Sequence, residues 1–173
     1  TREIREPGLM YQLPIVQNPL NVVSGSEMGI TPAESRQDTC THSIDGNKVQ
    51  IKVGDTRRGW VDSYQLLLEL SSDPQFNGGT VEIAVDLNDV RPVGETLKGF
   101  GGMANPVKLK DLYERVARLL NKAIGRRLSS VECCLLIDEA AVTIVAGNIR
   151  RSAGMRQFAA DDHAAASAKD NLW

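Results

Sequence analysis

Apolar positions recur along this chain with a period that changes from segment to segment, and each change marks a new element. In HSIDGNKVQIKV, residues 42–53, Val49, Ile51 and Val53 alternate with polar neighbours behind Asp45-Gly46, the pattern of a half-buried strand after a tight hairpin turn. GDTRRGWVDSYQLLLEL, 54–70, shifts to helical spacing, with Trp60, Val61, Tyr64, Leu67 and Leu68 on one face and Asp55 or Thr56 as N-cap. SSDPQFNGG, 71–79, breaks that helix, and TVEIAVD, 80–86, alternates again through Val81, Ile83 and Val85. A second helix carries Leu109, Leu112, Tyr113, Val116, Leu119, Leu120 and Ala123 and ends at Gly125. Ser129 and Glu132 form a capping box that opens a third helix, which lacks a broad polar face and is expected to be mostly buried. Before residue 41 the pattern is thin. Pro7, Pro14, Pro19 and Pro32 exclude a long helix, and LPIV, 13–16, and LNVV, 20–23, read as short strands.

Composition narrows the class. The 173 residues are 42% hydrophobic, enough for the core of one domain, since domains commonly run to about 100–200 residues. Twenty basic residues against 22 acidic ones give no overall field for nucleic acid, so any electrostatic site is local. No apolar run approaches the ~18–20 residues of a membrane span. Cys40, Cys133 and Cys134 are odd in number and match no zinc or CxxC spacing, which suits a reducing cytoplasm. The chain opens on Thr1 and stops at Trp173 inside a polar, alanine-rich stretch, as a piece of a longer polypeptide would.

Three stretches carry candidate chemistry. In GDTRRGW, Asp55 and Arg57 read either as a helix cap beside a solvated charge or as groups that meet a ligand's hydroxyls or ring nitrogens. RPVGETLKGFGG, 91–102, combines Arg91 and Lys98 with four glycines. It is neither a Walker loop nor a GxGxxG turn after a strand, and it reads equally as a surface loop or as a loop approaching a ligand closely. GNIRRSAG, 147–154, follows an apolar helix. One arginine there is explained by the helix C-terminus; two, flanked by Gly147, Asn148 and Ser152, point to a loop that reads an anion or a base edge.

Taken together, GDTRRGW, VRPVG followed by KGFGG, and VAGNIRRSA, in that order, resemble the central catalytic-subunit segment of adenosylcobalamin-dependent (class II) ribonucleotide reductases, in the ribonucleoside-triphosphate reductase branch. The resemblance covers residues 50–160 well and 1–49 poorly. It divides the chain into a loop and strand segment at 1–49, a reductase segment with nucleotide-effector loops at 50–160, and a polar tail at 161–173. It implies an α/β fold that is part of a ten-stranded barrel, and reduction of a ribonucleotide by a thiyl radical that adenosylcobalamin initiates, with a thioredoxin-like reductant. It further implies a dNTP effector site: Asp55, with Thr56 and Arg57 beside it, would hold sugar or base, while Arg91, Lys98 and Gly99 would flank the phosphates. Gly147, Asn148, Arg150, Arg151 and Ser152 would form the loop from effector to substrate base. Met103-Ala104-Asn105-Pro106 departs from the small-residue run of the family, and no cysteine sits in a radical or reducing context, so catalytic residues and most of the cobalamin site are expected outside the chain. A monomer and a homodimer both remain open, as do a diphosphate reductase, a stand-alone nucleotide-binding module, and an interaction face built on Trp60 and Tyr64.

Overall fold

The structure, a computed structural model, describes residues 13–96, 106–145 and 155–170. Four strands form one sheet: β1 (Leu20–Gly25), β2 (Thr41–Asp45), β3 (Lys48–Lys52) and β4 (Val81–Asp86), in the order β1-β4-β3-β2. Strands β2 and β3 are the antiparallel hairpin anticipated from the sequence. Gly46, at φ +60°, takes the first central position of its turn, where only glycine is unstrained. Strands β3 and β4 run parallel, so the chain must cross over between them, and α1 (Arg57–Leu70) makes that crossover. Strand β1 adds parallel to the other side of β4.

The period-2 pattern places Val49, Ile51, Val81, Ile83 and Val85 on one face of the sheet, each at most 3% exposed. Against that face lie α1 and α2 (Val107–Asn121); α2 contributes Leu109, Leu112, Tyr113, Val116 and Leu120 to the same core. The side chain of Asn121, at the end of α2, pairs with β1: its Oδ1 accepts from the Leu20 N–H and its Nδ2 donates to the Leu20 carbonyl, both at 2.8 Å. The α/β expectation therefore holds. The described strands make an open two-layer sheet with free edges at β1 and β2, however, and closure into a barrel is no part of them. The division expected at residues 49–50 falls inside β3, because the hairpin partner β2 belongs to the same sheet.

Two faces differ from the sequence reading. The buried stripe of α1 is Gly59, Ser63, Leu67 and Leu70, with Trp60, Tyr64 and Leu68 partly buried beside it, while Val61 is 47% exposed. The cap at Thr56 fixes where the helix begins and turns Val61 outward. Helix α3 (Ser130–Val145) is not mostly buried: Leu136 and Thr143 are covered, but Leu135, Ile137 and Val142 stand 43–53% exposed. Helix α2 and the Tyr64 hydroxyl, which donates to the Leu136 carbonyl at 2.7 Å, cover one side of it. Its capping box is formed as expected, with Glu132 N–H donating to Ser129 Oγ at 3.2 Å and Ser129 N–H to Glu132 at 2.9 Å. Beyond it, Arg156 pairs with Asp138, and a short α4 (His163–Ser167) is capped by Asp162. Among the described residues no helix is long and apolar enough to cross a membrane.

Candidate functional site

Three segments meet at the start of α1: residues 31–38, residues 53–59, and the connection 87–95 that leaves β4. Backbone packing sets the first contact. A Cβ on Gly54 would lie 2.3 Å from the Asp38 carbonyl oxygen, and one on Gly59 would lie 2.8 Å from the same oxygen. Both glycines of GDTRRG are thus required by close approach. Thr56 is the N-cap, its Oγ1 accepting from Gly59 N–H at 3.0 Å while donating to the Asp38 carbonyl at 2.5 Å. The Asp55 N–H donates to the Gln37 carbonyl at 2.8 Å, which fastens the same strip of chain.

Freed from capping, the Asp55 side chain faces the connection after β4. Its Oδ1 accepts from both the backbone N–H and the Nε of Arg91, each at 3.0 Å, and Arg91 Nη2 reaches the Asp55 carbonyl at 3.3 Å. Arg36 Nη1 lies 3.6 Å from Asp55 Oδ2 and donates to both carboxylate oxygens of Glu95 at 2.8 Å. Deeper in, Asp89 is fully buried; it accepts from the Gln37 N–H at 3.2 Å and pairs with Lys52 Nζ at 3.1 Å. Burial alone would raise the Asp89 pKa, but hydrogen bonds from Thr31, Lys52 and Gln37 outweigh it and hold the carboxyl below its ordinary value. Three cations thus face three carboxylates, a compensated cluster that fixes the 87–95 connection onto the start of α1.

Of the residues singled out in the sequence, Asp55, Thr56 and Arg91 come together here, and Arg57 stands exposed on the first turn of α1. Lys98, Gly99, Gly147, Asn148, Arg150, Arg151 and Ser152 lie outside the described residues. Sequence reasoning missed Arg36, Asp89 and Glu95. Glu95 stood inside a quoted motif, whereas Arg36 lies in a stretch with no periodicity to mark it. The thiols of Cys40 and Cys133 are both pushed up, by burial first and then by Asp62 near Cys40 and by Cys134 and Glu132 near Cys133, so each is a neutral thiol near pH 7.

Comparison with known proteins bears on this geometry. A family model described as "B12-dependent ribonucleotide reductase, insertion domain" matches residues 24–120. The adenosylcobalamin-dependent ribonucleoside-triphosphate reductase of Levilactobacillus brevis is 35% identical over 118 residues, which are 65% of this chain and 15% of that protein. Those of Lactobacillus leichmannii and Lactobacillus helveticus are 34% and 30% identical, each alignment taking in 16% of the relative and 68% and 67% of this chain. A crystal structure of a B-12 dependent (class II) ribonucleotide reductase superposes with a TM-score of 0.71 at 25% identity, over 95% of this chain and 23% of that one. The chain therefore spans about a sixth of the length of the curated relatives it matches.

Proposed function

This chain belongs to the B12-dependent ribonucleotide reductases, and on that premise we propose that it is the segment of a ribonucleoside-triphosphate reductase that binds a deoxynucleoside triphosphate effector. One observation carries the reading. The two described segments that resemble effector loops, at Asp55 and at Arg91, are far apart in sequence yet share one carboxylate in the fold. Asp55 holds the backbone and Nε of Arg91, which leaves the Nη1 edge of a side chain still 20% exposed without an acceptor among the described residues. A guanidinium edge fixed in this way suits a phosphate oxygen. Because the cluster is charge-compensated, the remaining phosphate charge falls to other cations: Arg57 on the first turn of α1, and Lys98, which lies outside the described residues and is implied by the family resemblance. The open sheet is then an insertion on the ten-stranded barrel rather than a set of its staves, and the exposed apolar side of α3 is where this segment meets the rest of the enzyme.

The family depends on adenosylcobalamin, which supplies the radical that starts ribonucleotide reduction. The described residues do not fit that group. Among them the open depression of about 230 Å³ beside Ser26, Gln50 and Asp86 is small and polar-lined, unlike a bed for a corrin ring. Its contacts, the radical cysteine and the meeting with a thioredoxin-like reductant are assigned to other parts of the enzyme. The test is equilibrium binding of dATP, dTTP and dGTP to the full reductase chain and to its Asp55→Ala variant. Weakened binding of at least one effector is expected, and unchanged affinity for all three would remove the reading.

A further inference from the structure

Arg36 lies in residues 31–38, a stretch to which the hydrophobic pattern assigns no element and the resemblance no role, yet its side chain is among the best-held cations described. It is only 8% exposed. Its Nε donates to the Thr31 carbonyl at 3.1 Å, which orients the guanidinium from its own segment. Nη1 then grips both oxygens of Glu95 at 2.8 Å and faces Asp55 Oδ2 at 3.6 Å. Glu95 is four residues beyond Arg91 on the same connection. One guanidinium therefore closes a loop of contacts that runs from Asp55 to Arg91, along the chain to Glu95, and back to Asp55.

We propose that Arg36 is a positioning residue of the nucleotide site: acting through Glu95, it fixes the connection that carries Arg91, and so sets the affinity for a deoxynucleoside triphosphate. This rests on the effector reading given above. The Nε and Nη1 of Arg36 are committed to the Thr31 carbonyl and the Glu95 carboxylate, so its influence passes through the loop. With Arg36 gone, Glu95 loses its partner and Asp55 is shared with Arg91 alone. The loop is released at one end, and two carboxylates then face a single guanidinium, a balance that repels polyphosphate.

Position and charge make opposite predictions for Glu95→Gln. That change breaks the grip but leaves the cluster one unit more positive. Positioning requires weaker nucleotide binding; a purely electrostatic role for Arg36 requires tighter binding.

The experiment measures Kd for dATP, dTTP and dGTP by calorimetry on the full reductase chain and its Arg36→Gln, Glu95→Gln, Arg36→Gln/Glu95→Gln and Arg91→Gln variants, with thermal midpoints recorded alongside. Expected is a loss of at least about fivefold for each single variant, the range of ordinary site-to-site coupling. The double variant should bind no worse than Arg36→Gln alone. Glu95→Gln, at a side chain one-third exposed, keeps the test alive if Arg36→Gln does not fold. Tighter or unchanged binding in Glu95→Gln would overturn the proposal. Weaker binding in Arg91→Gln with none in Arg36→Gln would remove Arg36 from the site while leaving the site standing. Unchanged affinity in both would remove the effector reading itself, and the role of Arg36 with it.

Discussion

Asp55 Oδ1 accepts two hydrogen bonds from Arg91, one from its backbone N–H and one from its Nε, so a single oxygen fixes both the path of a connection and the direction of its side chain. Asp55→Ala removes both bonds and leaves two arginines facing a site only 9% exposed. A loss of about 2 kcal/mol is expected, between the values for exposed and fully buried pairs. Denaturant midpoints at unchanged m-value measure it. A loss indistinguishable from zero would mean that Arg91 finds an equivalent acceptor.

Gly54→Ala and Gly59→Ala should both destabilise, Gly54→Ala more, because its Cβ would sit 2.3 Å from a backbone oxygen that cannot rotate away. Overpacking of this kind costs about 1–3 kcal/mol. The pair of thermal midpoints checks the ranking, and a Gly59→Ala loss larger than that of Gly54→Ala would contradict the geometry.

Glu132 closes the capping box of α3 and pairs with Arg126. The Arg126 hydrogen bond, with those from Ser129, outweighs burial and holds its carboxyl down from 4.5 to about 2. A depressed carboxyl contributes stability above its unfolded value of 4.5, and that contribution fades as pH falls through 4.5 towards 2. Stability measured across that window should therefore fall less in Glu132→Gln than in the unsubstituted chain. Parallel curves would show that the box does not report on pH.

Tyr64 is pushed up to about 12, by burial and then by Glu139; Tyr113, fully buried, is pushed up further by its burial, against the Ser63 hydrogen bond. The Tyr113 hydroxyl lies 2.7 Å from Ser63 Oγ inside the core, shielded from the solvent that would carry a phenolate charge. With folded values above the unfolded 10, the stability of these protonated forms is complete below pH 10 and is lost as pH rises beyond it. Tyrosinate absorbance from both residues should appear together with loss of circular dichroism. Ordinary titration near pH 10 with the dichroism intact would refute this.

Arg151→Ala, on the loop that resembles the family's effector-to-substrate loop, should alter effector-dependent substrate choice more than turnover without effector. Assays of the full reductase with each substrate and effector pair decide. Equal loss across all pairs would mean a general structural role.

Strands β3 and β4 and helix α2 were legible because their burial is one-sided and regular: every second residue from Val49 to Ile51 and from Val81 to Val85, and every third or fourth from Leu109 to Leu120. LPIV, 13–16, read as a strand, forms none, and β2 is exposed along its whole length and is held only by its hairpin partner. The capping box was legible because its chemistry is local. Helix α1 was read with its stripe turned too far, since Gly59 and Ser63 carry no hydrophobic signal yet pack closest. Helix α3 misled because a helix apolar on all sides gives no indication of which side its own segment covers. At the candidate site, the motif revealed Asp55 and Arg91 but not that one holds the other. Nor did it reveal Arg36, whose importance lies in a partner 59 positions away.

Strand β1 is the earliest described element of the sheet, yet its neighbour β4 begins at Val81 and the amide that satisfies Leu20 belongs to Asn121. During synthesis, at roughly 5–20 residues per second, β1 waits on the order of ten seconds for its last partner. Through that interval Leu20 and Val22 are uncovered while the β2–β3 hairpin can already close. A chaperone that holds short extended segments has its natural opportunity there, and the interval ends when Asn121 emerges to bond the Leu20 backbone.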